Sequence, residues 1–111
     1  MPSIEFQGKQ VEVDDDGYLV NLGDWSAELA TWMAGQDALT LTPSHWEVIN
    51  FLRDYYQKYQ IAPMIKILVK EIAKTMGPEK GNTKYLYELY PAGPAKQACR
   101  YAGLPKPTGC V

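Results

Sequence analysis

The run from Leu41 to Tyr59, Leu-Thr-Pro-Ser-His-Trp-Glu-Val-Ile-Asn-Phe-Leu-Arg-Asp-Tyr-Tyr-Gln-Lys-Tyr, constrains this chain more than any other stretch. Thr42 is suited to cap a helix. Pro43 then takes the first helical position, where a missing N–H costs nothing and φ is already set. Leu41 ahead of the cap can pack on Trp46 as a hydrophobic staple. The spacing predicts a helix to about Tyr59, with Ile49, Leu52, Tyr56 and Tyr59 along one face and Val48 and Tyr55 beside it. A helix this long, in a chain of 111 residues, must be covered by much of what remains. Pro63 opens the next helix, whose core face is Ile65, Leu68, Val69, Ile72 and Met76.

The remaining elements fit around that pair. Ile4–Gln7 and Gln10–Val13 alternate apolar and polar residues about Gly8-Lys9, Asp14–Gly17 makes a turn, and Tyr18-Leu19-Val20 follows. Asp24 is the expected N-cap of a helix over Trp25–Gly35, which buries Leu29 and Trp32. Gly77–Gly81 reads as a mobile loop, Asn82 as the cap of a short helix over Thr83–Tyr90, and Gly93–Gly103 as a last short helix. The expected class is α+β: a small N-terminal antiparallel β meander or hairpin packed on about five helices. It forms one domain over residues 1–111, with an extended, flexible C-terminal arm over 104–111.

No stretch approaches the roughly 20 apolar residues of a membrane span, and Met1–Phe6 lacks the basic and apolar regions of a secretory signal. The expected compartment is the cytoplasm, without direct membrane insertion. Two cysteines and one histidine, His45, cannot supply a four-ligand zinc site, so no metal is expected. His45, at the third helical position after Thr42, reads as a local hydrogen-bonding residue. Charge is uneven: residues 1–62 hold ten acids and three bases, and residues 63–111 hold eight bases and three acids. The basic half carries both cysteines, an asymmetry that can steer an anionic partner.

The tail carries the chemistry. Gly103 stops the last helix, and Pro105 and Pro107 cannot continue it. Leu104-Pro-Lys-Pro-Thr-Gly-Cys-Val111 is therefore an arm with a joint at Gly109. Cys110 stands one residue from the end, and ten residues separate it from Cys99, the other cysteine. Cys99 lies among Ala95, Ala98 and Ala102, a small-residue face that by itself suits packing. From Gly103 the arm reaches at most roughly 23 Å. It can therefore enter a partner or fold back to the Cα separation of about 5–6 Å that a disulfide needs. Thiol–disulfide chemistry needs an attacking thiolate and a resolving thiol; Cys110 suits the first role and Cys99 the second. Arg100, Pro105, Lys106, Pro107 and Gly109 are the residues expected to meet a partner.

At these residues a resemblance appears. Gly81-Asn-Thr-Lys-Tyr-Leu-Tyr-Glu-Leu-Tyr-Pro91, Gly93-Pro-Ala-Lys-Gln-Ala-Cys99 and Ala102-Gly-Leu-Pro-Lys-Pro-Thr-Gly-Cys-Val111 resemble the DsrC/TusE sulfur-relay family. Asp16-Gly-Tyr-Leu19, Asp24-Trp25 and Leu41–Tyr56 resemble it too, so the likeness spans nearly the whole chain. Members that serve tRNA thiolation keep the penultimate cysteine and lack the upstream one. Members of the DsrC type, the gamma subunit of dissimilatory sulfite reductase, keep both, as here. The resemblance therefore implies a sulfur carrier and co-substrate, with no independent enzyme activity. Cys110 would carry sulfur as a persulfide, or bridge it to Cys99 as a trisulfide. The implied partners are the alpha and beta subunits of dissimilatory sulfite reductase, a membrane thiol/disulfide reductase complex and other sulfurtransferases. Sirohaem (siroheme) and iron–sulfur clusters would belong to the partner, leaving this chain without a cofactor. The alternative within the family is a TusE-like relay for tRNA 2-thiouridine synthesis.

A different class has its own support. The helices from Pro43 and from Pro63 are joined like a helix-turn-helix, and Lys66, Lys70 and Lys74 fall on one face of the second. They are candidate DNA contacts. Few base-reading residues accompany them and the sequence pI is about 5.3, so this reading ranks below sulfur carriage.

Overall fold

The computed structural model describes residues 2–107. Ser3–Phe6 (β1) pairs antiparallel with Lys9–Glu12 (β2), Ser3 opposite Glu12 and Phe6 opposite Lys9. Gln7 and Gly8 turn the chain with φ of 52° and 75°, the left-handed pair that a two-residue hairpin requires. The expected third strand shrinks to one bridge, Val13 with Leu19. The Asp14 carboxylate accepts the N–H groups of Asp16 and Tyr18, both at 2.9 Å, and this turn brings the chain straight back.

Ala27–Gln36 forms α1. Its N-cap is Ser26, whose Oγ accepts the Leu29 N–H at 3.1 Å, and not Asp24 as the sequence suggested. Asp24 closes a 3₁₀ turn over Leu22–Asp24, and Trp25 stays extended at φ −68°, ψ 142°. Its indole N–H is engaged by a carbonyl far along the chain, described below, so helical winding starts two residues later.

Pro43–Tyr59 forms α2 with the expected start. His45 Nδ1 accepts the Thr42 N–H at 3.0 Å, so its proton sits on Nε2, which donates to the Leu89 carbonyl at 2.7 Å. The local role expected of this residue is thus extended into a tie across the fold. Ile49 and Leu52 are fully buried, but Tyr59 is half exposed, contrary to the expected core face. The helix ends there, at left-handed Gln60 with φ 57°, and Tyr59 packs on Tyr55 with ring centroids 4.6 Å apart.

Ile65–Met76 (α3) begins two residues after Pro63, because Ala62 and Pro63 are buried within the connecting loop. The next loop, expected to be mobile, is tied down instead. Asn82 Nδ2 donates to the carbonyls of Pro78 and Glu79, and Lys80 pairs with Glu47 at 2.7 Å. Gly81 lies so close to α3 that an added Cβ would meet the Ala73 backbone at 2.2 Å. Thr83–Leu89 (α4) is capped by Asn82, as its sequence predicts.

Pro94–Tyr101 (α5) is the hub and packs against α1, α2, α3 and α4. Ala95, Ala98, Cys99 and Tyr101 are all fully buried on it. Small side chains let the surrounding helices approach closely, while Tyr101 and Tyr90 fill the larger gaps. The tyrosine hydroxyls are satisfied: Tyr90 donates to the His45 carbonyl at 2.8 Å, and the Tyr101 oxygen accepts from Gln97 at 2.8 Å. His45 therefore joins the start of α2 to the end of α4. His45→Ala should lower unfolding free energy by about 2–3 kcal/mol, since it leaves the Leu89 carbonyl unpaired beside a new cavity. Urea unfolding checks this; a change under about 0.5 kcal/mol would show the tie to be dispensable.

Candidate functional site

The site expected from sequence is the end of α5 and the segment that leaves it. Gly103, at φ 73°, is the left-handed residue after the helix. Its N–H donates to the Arg100 carbonyl at 3.2 Å, and the Leu104 N–H reaches back to the Cys99 carbonyl at 3.0 Å. These two bonds make a Schellman terminus, which reverses the chain at a fixed angle. Cys99 thus holds the first residue of the arm with its own backbone oxygen.

The Cys99 side chain is sealed, at 0 % exposure. Burial pushes its thiol up to about 12 from an ordinary 9.0, so it is protonated and a poor nucleophile in this arrangement. The Tyr18 and Tyr90 phenols are close enough that negative charge on Cys99 would push their pKa values up and oppose their ionisation. Tyr18 is itself pushed up to about 12, chiefly by burial, and its hydroxyl donates to the Lys96 carbonyl at 3.0 Å.

The arm is anchored at its root. Leu104 is 3 % exposed, Pro105 half-buried and Pro107 buried. Between them Lys106 Nζ sits 2.9 Å from an oxygen of Asp16, in the turn that carries Tyr18. The arm expected from position 104 begins there as chain without regular structure, laid against the body over 104–107. Leu104 supplies apolar burial, and the two prolines lay the intervening residues along the body. Gly109, Cys110 and the expected mobility of the arm tip lie outside the described residues.

Arg100, expected to face a partner, pairs with Asp37 of the segment after α1, and the Tyr101 hydroxyl donates to the same carboxylate. Lys66, Lys70 and Lys74 are exposed on α3, with Lys74 3.7 Å from Glu71. The helix end gathers Cys99, Arg100 and residues 104–107, and the three lysines belong to a different helix.

Two contributors escaped sequence reasoning. Trp25 Nε1–H donates to the Tyr101 carbonyl at 2.8 Å, and Arg53 Nη1–H donates to the Ala102 carbonyl at 2.7 Å. The Arg53 guanidinium also lies 3.6 Å from the centre of the Trp25 ring. Their separations of 76 and 49 residues from these acceptors left no local signal. Among the described residues no three His, Cys, Asp or Glu side chains are grouped to hold a metal ion, and no helix is long and apolar enough to cross a membrane.

Comparison with known proteins places this terminus. Residues 5–111 match the family described as DsrC like protein. The chain is 50% identical to the sulfurtransferase TusE of Photorhabdus laumondii over 111 residues, covering all of both chains. The solution structure of DsrC from Allochromatium vinosum is 62% identical and superposes with a TM-score of 0.88, over 98% of this chain and 97% of that one. The crystal structure of the oxidized gamma-subunit of the dissimilatory sulfite reductase (DsrC) from Archaeoglobus fulgidus is 45% identical, with a TM-score of 0.83 over 99% of this chain and 100% of that one. With its hub helix, reversed terminus and cysteine-bearing tail, the chain belongs to the DsrC-like family of sulfur-relay proteins.

Proposed function

We propose that this protein receives sulfane sulfur on Cys110 as a persulfide and passes it to the next protein of a relay. The carrying observation is the seal over Cys99. A thiol at 0 % exposure, held protonated by burial, cannot meet a partner's sulfur in this arrangement, so the receiving role falls to Cys110. The transfer is balanced: the Cys110 thiolate attacks the outer sulfur of a donor persulfide, the donor's S–S bond breaks, and the donor leaves as a thiolate. No cofactor is needed for this step.

The names borne by relatives at about half identity favour the sulfurtransferase reading, a relay of the kind that feeds tRNA 2-thiouridine synthesis. A second reading has a specific observation behind it. Cys99 is present and lies at the root of the arm, and structural relatives bear the names DsrC and gamma-subunit of dissimilatory sulfite reductase. In that reading the sulfite reductase alpha and beta subunits, with their own sirohaem and iron–sulfur clusters, are the partner. The sulfur then comes from sulfite, which takes two electrons from the reductase and two from the Cys110 and Cys99 thiols; its oxygens leave as water, the sulfur ends bridged between the two cysteines, and a membrane thiol/disulfide reductase complex releases it. Arg100, Pro105, Lys106, Pro107 and Gly109 form the contact surface in either case. Because Arg100 and Lys106 are paired within the chain, docking must exchange those partners for others. DNA binding through Lys66, Lys70 and Lys74 remains the lowest-ranked reading.

Intact mass after incubation with a persulfide donor tests the proposal. The wild type should gain about 32 Da, Cys110→Ala should gain nothing, and Cys99→Ala should load normally. Loading of Cys110→Ala would overturn the assignment. In a second arm with sulfite reductase, sulfite and reductant, a gain of about 30 Da with both thiols consumed in the wild type and absent in Cys99→Ala favours the bridged product; no such gain favours the sulfurtransferase relay.

The Cys99 seal has its own consequence for pH. Its folded-state value is raised from 9.0 to about 12, so the folded protein keeps a proton that the unfolded chain gives up. Stability from this group is intact below pH 9 and declines between pH 9 and 12, by up to about 1.4 kcal/mol per pH unit. In a Cys110→Ser background, urea unfolding at pH 8 to 11 should fall more steeply with Cys99 than with Cys99→Ala. Parallel curves would show the thiol to be solvated.

A further inference from the structure

We propose that Trp25 and Arg53 form a clamp that sets the direction in which the cysteine-bearing arm leaves the body, making them positioning residues for Cys110. The last carbonyls of a helix lack intrahelical partners and are commonly left to water. Here the final two before the arm are taken by side chains from two other elements. Trp25 holds the Tyr101 carbonyl at 2.8 Å and Arg53 the Ala102 carbonyl at 2.7 Å. The two side chains are locked to one another by the guanidinium stacked 3.6 Å from the indole centre. Burial lowers the Arg53 pKa, so the group has given up part of its hydration for this place.

Gly103 completes the clamp. A Cβ there would lie 2.4 Å from Trp25 Cδ1 and 2.7 Å from Cγ, so the indole wall fits only glycine. With φ at 73° and its N–H bound, Gly103 has little freedom to swing. Beyond it, Leu104 is fixed to the Cys99 carbonyl, and Pro105 and Pro107 each have φ locked near −65°. An angle set at the clamp is therefore carried along the anchored root as far as Pro107. A shift at the clamp displaces the point from which the last residues start, and with it the region that Cys110 can reach.

This inference rests on Cys110 as the carrying thiol, but its test reads geometry directly. Nitroxide labels go on Cys110 and on an introduced cysteine at exposed Lys70 (Lys70→Cys), both in a Cys99→Ala background. Double electron–electron resonance then gives the distance distribution in the full-length protein. Arg53→Met and Trp25→Phe should shift or widen that distribution by about 5 Å or more, with Arg53→Lys intermediate, since it keeps charge but loses the planar stack. Circular dichroism confirms that each variant compared is folded; Arg53→Lys and Trp25→Phe remain informative where Arg53→Met is not. Distributions that overlay the parent in folded variants would overturn the clamp. In unlabelled protein with both cysteines, glutathione redox equilibria provide the second readout. The effective concentration of Cys110 at Cys99 should fall about tenfold in Arg53→Met and Trp25→Phe, which loss of stability alone would not produce in molecules that remain folded. A parent protein whose Cys110 accepts no sulfur would sink the carrier reading; unchanged label distances would sink the clamp alone.

Discussion

Burial of α5 is the constraint on which the rest of this structure depends. The helix is only eight residues long, yet four other helices pack on it and six of its residues are buried. A helix so short would not persist in water alone, so it exists because its neighbours exclude solvent from it. The dependence runs the other way as well. Every surrounding helix has one amphipathic face, and the small side chains of α5 are the surface those faces share. The polar groups brought inside are all paired, and among the described residues no buried side-chain polar atom lacks a partner. Satisfaction of this kind is what lets His45, Gln97, Tyr90 and Tyr101 lie in the core without the penalty of unpaired burial.

The two proline-marked helices, the Asn82 cap and the Gly103 stop were legible because each rests on residues within four positions of one another. The β hairpin was legible for the same reason, through its alternation about Gly8. What was misread depends on distance along the chain. Asp24 and Ser26 are both acceptable caps, and the choice between them follows from the Trp25 indole bonding a carbonyl at Tyr101. Tyr59 fits the apolar stripe of α2 but lies on the last turn, where it packs on Tyr55 and stays half exposed. The loop after α3 has the composition of a mobile segment, and is ordered by a lysine reaching back to Glu47. For the candidate site, the two cysteines and the proline arm were visible in the sequence. Trp25, Arg53 and Asp16 were not, since each acts across at least 49 residues.

Charge follows a similar pattern. The excess of bases in the second half of the chain suggested a steering surface. Three of those bases, Lys80, Arg100 and Lys106, pair with acids from the first half. Part of the apparent asymmetry is therefore internal complementarity between the two halves, which the linear sequence displays as opposite blocks. Such partly exposed pairs are screened by water and contribute little to stability. Their larger consequence is geometric, because two of them hold residues on or beside the root of the arm.

That geometry ties Cys99 to the root of the arm. The turn from Asp14 to Tyr18 does two things at once: Asp16 binds Lys106 of the arm, and Tyr18 lies beside Cys99 with its hydroxyl on the Lys96 carbonyl. Cys99 in turn binds the first arm residue through its own carbonyl. The Lys106–Asp16 pair therefore joins the turn beside Cys99 to the arm root that Cys99 holds. Burial suppresses the Cys99 thiolate, and the same turn and arm root that lie beside it carry the exposed ion pair at the surface.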